Sequence, residues 1–178
     1  MNCPNGLHKT KLVSFPRCGH HLLVRGLQWA LEGKLVYSNY YNSKHNFETS
    51  PYVNLQKSHD FNTDEPISED YHYIVLIRGF ELAVESWHKA LKPPMNLANF
   101  RNSKLQYYDD FTEKYVTNIP PNGIVIPYND LVTSKVDTLI RAIEHIYPEP
   151  LTEEQEMNIR KWELAEQNKR IYEKANIY

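Results

Sequence analysis

Leu12-Val13-Ser14-Phe15-Pro16-Arg17-Cys18-Gly19-His20-His21-Leu22-Leu23 passes from a β-type segment through a turn into a helical one. Residues 11–15 read as a strand. Pro16 to Gly19 form the turn, and a helix carrying Leu22, Leu23, Leu27, Trp29 and Leu31 runs to about Glu32, with Gly33 as its stop. A turn that feeds a helix start aims several backbone N–H groups at one point, and the helix dipole adds to them, so this geometry suits phosphate or sulfate. Arg17 contributes a fixed cation with a fork of donors. Gly19 permits close approach of the backbone to an anion.

The same alternation continues along the chain. Residues 53–56 form a short strand. Residues 73–78 are a nearly continuous apolar run, which implies a strand buried on both faces. Phe80, Ala83, Val84, Trp87 and Leu91 then recur at helical spacing up to Pro93-Pro94. A polar helix is expected over about 100–117, a buried strand at 123–127 and a helix over 130–146. Thr152 with Gln155 makes a capping box for a last helix, over about 152–176. Met157, Leu164, Ile171 and Tyr178 recur along that helix and are expected to pack on the core.

Strands alternating with helices predict an α/β three-layer sandwich with a mainly parallel central sheet. Ligands of such folds bind beyond the carboxyl ends of the strands. The residues just after each strand are therefore the ones to inspect: Pro16 to His21, Lys57 to Asp60, Arg78 onward, and Tyr128.

Length and composition agree with this reading. The 178 residues suit one domain, with a core of about 11–147 and the final helix beyond it. The net charge of −2 argues against a generally basic nucleic-acid binder. Residues 1–60 nevertheless hold seven Lys/Arg against three Asp/Glu, the remainder thirteen against nineteen, which points to an anionic ligand near the N-terminal third. There is no apolar run of membrane-spanning length and no signal-peptide pattern at residues 1–6, so a cytoplasmic protein without membrane contact is expected. The two cysteines, Cys3 and Cys18, make neither a disulfide framework nor a zinc site by themselves.

Known anion loops narrow the choice. The nucleotide P-loop pattern, Gly, four residues, then Gly-Lys-Ser/Thr, is absent. A cysteine-phosphatase loop has five residues between Cys and Arg, whereas six separate Cys18 from Arg25. Pro16-Arg17-Cys18-Gly19-His20-His21 resembles the 5′-phosphosulfate loop of sulfotransferases, with Cys18 at the usual Ser position.

Three further segments carry the resemblance, in the family's order. The run 73–87 is similar to the 3′-phosphate segment, where an Arg ends a buried strand and a Ser follows eight residues later; Arg78 and Ser86 have that spacing. Gln56-Lys57-Ser58-His59 resembles the Lys-Thr-His of the family's second strand, whose His is the base. Tyr128-Asn129-Asp130-Leu131 resembles the Tyr-Glu-Asp-Leu segment.

The resemblance implies 3′-phosphoadenosine-5′-phosphosulfate (PAPS) as donor, an acceptor hydroxyl and no metal. It assigns His59, Arg17 and Lys57 to catalysis, and Arg17, Cys18, Gly19, His20, His21, Arg78, Ser86 and Tyr128 to donor binding. His20 and His21 would act through backbone N–H groups, Tyr128 through the adenine or through packing, and Cys18 as a neutral filler. Some features depart from the pattern. Leu22 stands where many members stack a Trp on adenine, and the Gly-rich closing loop is not apparent, leaving Lys161, Lys169 or Arg170 as substitutes. By elimination, segments 37–52 and 93–117 flank the acceptor. Two other classes compete: a non-catalytic descendant that binds a nucleotide or a partner, and a small-molecule kinase, which would need the missing P-loop.

Overall fold

The computed structural model describes residues 3–4, 6–39, 47 and 49–175, with side chains described up to residue 168. Five strands are ordered β2 (Tyr37–Asn39), β3 (Leu55–Ser58), β1 (Thr10–Ser14), β4 (His72–Ile77) and β5 (Gly123–Pro127) across one sheet. Every pairing is parallel. The helices are α1 (His20–Ala30), α2 (Phe80–Leu91), α3 (Leu97–Thr112), α4 (Tyr128–Thr133), α5 (Lys135–Ile146) and α6 (Glu153–Ala175). They cover both faces, as the alternating pattern predicts. On one side α1, α5 and α6 pack together; α2 and α3 pair, and both bring aromatic rings to Phe15.

β1 is the central strand, with Thr10, Leu12, Val13 and Ser14 buried and Lys11 half-buried. Its register aligns Val13 with Ser58 and with Val75, and Ile77 with Pro127. The carboxyl ends of β3, β1, β4 and β5 thus form one edge. The chain leaves β1 for β2 and β3 on one side and then crosses to β4 and β5 on the other, which places the topological switch point at the carboxyl end of β1.

Several local expectations change. The strand expected at 53–56 lies at Leu55–Ser58, which places Lys57 inside it. β2 carries no periodic signal in its three residues, yet Ser38 is buried there. The helix expected over 130–146 is two helices broken at Ser134, whose N–H still bonds the Asp130 carbonyl. The polar helix becomes α3 followed by a π-helical turn, Glu113–Thr117.

The last helix starts as expected: the Gln155 N–H donates to Thr152 Oγ1 (3.3 Å), and the Thr152 N–H donates to Gln155 Oε1 (2.9 Å). Its buried face is not the expected one. Gln155, Ile159 and Trp162, spaced four and three, turn inward, whereas Met157 and Leu164 are 52% and 59% exposed. At 3.6 residues per turn the two sets fall on opposite sides of the helix. The side chains of Ile171 and Tyr178 lie outside the described residues. Inward-facing Trp162 meets α1 at Gly26, where an added Cβ would lie 3.1 Å from its ring and 3.0 Å from Leu139.

Candidate functional site

The loop after β1 is built from two unusual backbone positions. Arg17 has φ of 70° and Gly19 has φ of 88°. A left-handed conformation is costly for a residue with a Cβ and free of that cost for glycine. Gly19 is constrained twice, because a Cβ there would sit 2.9 Å from Tyr128 Cδ2 and 3.1 Å from Leu131 Cδ2. α1 begins at His20; Leu22 N–H already bonds the Gly19 carbonyl at 2.9 Å, so the His20 and His21 N–H groups are the ones the helix start leaves without intrahelical acceptors.

A cleft of about 470 Å³ opens at this point. Its walls include Arg17, Gly19, His20, His21, Lys57, His59, Arg78, Ser86 and Tyr128, so of the residues assigned to catalysis or donor binding the structure brings together all but Cys18. The Cys18 side chain is fully buried beneath the loop, with its Sγ 3.9 Å from the Pro16 carbonyl oxygen. Burial pushes its thiol up to about 12, so it is a neutral filler.

Among the described residues, Arg17, Arg25, Lys57 and Arg78 line the cleft and no carboxylate does, although Glu166 behind it pairs with Arg25. Arg17 Nε donates to Ser86 Oγ (3.3 Å), linking the two ends of the expected donor site. Arg78 stacks its guanidinium on the Tyr128 ring at 4.3 Å and reaches the Arg17 carbonyl at 3.5 Å. Tyr128 thereby supports Arg78 on one side and covers Gly19 on the other.

His59 sits just past β3. Its Nδ1 lies 2.7 Å from the Ser14 carbonyl oxygen and 3.2 Å from Ser14 Oγ. Donation of Nδ1–H to the carbonyl fixes the tautomer whose basic nitrogen is Nε2. Burial, with smaller contributions from the charges of Lys57 and His21, pushes His59 down to about 4 against the opposing bond to Ser14. His59 is therefore neutral at pH 7. His20, only 6% exposed, is pushed down to about 3, mainly by burial. Lys57 is lowered by burial as well.

Other contributors were not among the residues assigned to the site from the sequence. Tyr107 donates its hydroxyl to the His59 carbonyl, and Tyr108 donates to the Arg78 carbonyl at 3.0 Å. These α3 tyrosines brace the backbone of the site. Leu22, Trp87, Ala90 and Leu91 supply an apolar wall. Arg25, one turn beyond His21, is the extra cation; Glu166 of α6 holds it at 3.0 Å. Lys161 instead lines a separate groove with Trp29 and Asn158. The side chains of Lys169 and Arg170, and residues 40–46 and 48 of the 37–52 segment, lie outside the described residues.

Comparison with solved structures gives a mouse sulfotransferase, SULT7A1, complexed with PAP, at a TM-score of 0.70. The fold is that of a sulfotransferase. Sequence identity is 13%, and the match covers 90% of this chain and 64% of the mouse chain. No protein-family model matches the sequence, and no curated protein does. Among the described residues, no helix is long and apolar enough to cross a membrane.

Proposed function

We propose that the cleft binds PAPS and transfers its sulfuryl group to an acceptor hydroxyl. The observation that carries this reading is that Arg17, Arg25, Lys57, Arg78 and a helix start surround one cleft that no carboxylate lines among the described residues, beside a neutral histidine of fixed tautomer. Two phosphate-type groups match that charge, and the mouse neighbour was solved with PAP.

In this reading Arg17 and the first-turn N–H groups of α1 hold the 5′-phosphosulfate. Arg78 and Ser86 hold the 3′-phosphate, with Arg17 close enough to share it. Leu22, Trp87 and Leu91 offer an apolar surface to the base, in place of the Trp absent at position 22. The acceptor oxygen attacks sulfur in line as the bond from sulfur to the 5′-phosphate oxygen breaks. Negative charge grows on the leaving phosphate, where Arg17 and Lys57 stabilise it. The acceptor proton goes to Nε2 of His59. His59 is neutral at pH 7, so its Nε2 can accept the proton, and a positioned base contributes about 10²–10⁴-fold in rate.

Thermal unfolding with adenosine 3′,5′-bisphosphate, against ADP and ATP, tests the reading. Ligand at 100 times its dissociation constant stabilises by about 2.7 kcal/mol, a shift of roughly 5–11 °C at this size. A shift with the 3′,5′-bisphosphate alone supports the donor site. An equal response to ATP supports a kinase, and no response removes the proposal. Given a competent acceptor, His59→Ala separates an enzyme from a binding protein: the enzyme keeps bisphosphate binding and loses turnover.

A further inference from the structure

The corner after β3 is held in a way the transfer reaction alone does not require. Asp60, the residue after His59, has φ of 48°, a strained conformation for a non-glycine residue. Its N–H donates to Ser58 Oγ at 3.0 Å. Its Oδ2 accepts from Lys114 Nζ at 2.6 Å and from the Tyr115 hydroxyl at 2.8 Å. The Lys114 and Asp60 side chains are 13% and 12% exposed, so the pair is largely withdrawn from water. Lys114 Nζ also donates to the Glu65 carbonyl at 2.6 Å, which ties down the following loop.

Lys114 and Tyr115 both belong to the π-helical turn Glu113–Thr117. A π-helical turn re-aims successive side chains relative to an α-helix and recurs at functional sites. Here it directs two adjacent residues at one carboxylate oxygen. One helix earlier, Tyr107 grips the His59 carbonyl, so α3 and its extension hold both residues of the corner. Phe61 completes the packing, with its ring 5.5 Å from those of His59 and Tyr107.

Resting on the assignment of His59 as base, we infer that Asp60, Lys114 and Tyr115 form a positioning clamp that holds the imidazole of His59 against the Ser14 carbonyl. None of the three lines the donor cleft. They act on the proton acceptor through the backbone. A largely buried ion pair contributes little net stability, whereas it fixes geometry where a strained corner needs holding. The clamp keeps Nδ1 as donor and Nε2 as acceptor, and so selects the reactive tautomer.

The test is the combined variant Asp60→Asn with Lys114→Met. It removes both charges together, so no new net charge faces His59, and Asn tolerates the left-handed backbone. Histidine-labelled protein is followed by NMR against pH, with His59 assigned by His59→Gln. The wild type should show an Nδ1–H tautomer and a midpoint near 4. In the variant the Nδ1–H signature gives way to mixed tautomers, and the midpoint rises toward the ordinary 6.5, because the solvent gained by the released ring outweighs the lost Ser14 bond, burial being the larger cause. Tyr115→Phe, which deletes one hydroxyl, shifts both in the same direction by less and covers the case in which the double variant does not fold. An unchanged midpoint and tautomer in either folded variant overturns the clamp. Bisphosphate binding measured on the same samples keeps the two claims apart. Its loss in the wild type removes the donor reading and leaves the His59 result standing.

Discussion

Arg17 Nε and Ser86 Oγ are 3.3 Å apart across 69 residues of chain. The loop after β1 and the helix after β4 therefore meet at the cleft and present a cation and a hydroxyl side by side. A hydrogen bond involving a charged group is worth about 1.5–3 kcal/mol. Arg17→Ala should weaken adenosine 3′,5′-bisphosphate binding by roughly 10–150-fold. Ser86→Ala should cost less, about fivefold. Titration calorimetry of both single variants and the double gives the coupling. Strict additivity would mean that the pair does not act on one ligand group.

Gly19→Ala should fail for two separable reasons. The left-handed backbone costs about 1–2 kcal/mol, and a Cβ pressed to 2.9 Å from Tyr128 adds overpacking of about 1–3 kcal/mol. Urea unfolding of Gly19→Ala in wild-type and Tyr128→Ala backgrounds resolves them. The second background should recover the steric part only. Full recovery would show that the backbone conformation costs nothing here.

The face of α6 is testable with two substitutions. Ile159→Ala should destabilise by about 2–4 kcal/mol, as buried Ile truncations do. Met157→Ala should stay within about 0.5 kcal/mol, as exposed changes do. Chemical denaturation followed by tryptophan fluorescence reads both. Thr152→Ala, which removes half of the reciprocal cap, should cost about 1 kcal/mol.

Acid should destabilise the fold through its histidines. His20 is held at about 3, and His59 and His72 at about 4, chiefly by burial. His72 stacks on His8 at 4.0 Å and adjoins His145, at the opposite end of the sheet from the cleft. Each folded value lies below the unfolded value near 6.5, so between the two the unfolded chain binds more protons. Stability is then fully present above about pH 6.5 and falls as pH drops toward 4. Denaturation midpoints at pH 7, 5.5 and 4.5 should decline in that order, and more shallowly in His72→Gln. A flat profile would exclude this account.

Legibility from sequence tracked how local the determinant was. The loop, Arg78 and His59 were readable because each lies where a strand ends, and strand ends in a parallel sheet face the ligand. Trp87 looked like packing, and it does pack against Phe15, but its other side borders the cleft. Arg25 entered only as a residue in the wrong phosphatase register. Tyr107, Tyr108, Lys114 and Tyr115 were hidden because they act on backbone atoms or on a side chain 30 to 55 residues away. The inward face of α6 was present in the spacing of Gln155, Ile159 and Trp162; a seven-residue repeat of larger apolar groups masked it.

The central position of β1 has a kinetic consequence. Its neighbours begin at Leu55 and His72, and the Tyr128 ring that closes on Gly19 follows the fifth strand. Pairings this distant in sequence form slowly, because each closes a long loop before any contact rewards it. During synthesis, the loop at 16–21 leaves the ribosome more than a hundred residues before Tyr128. The nascent chain thus carries the anion loop for several seconds or more, at about 5–20 residues per second, before it is complete. Ligand affinity should therefore appear abruptly and late, with the docking of β5 and α4.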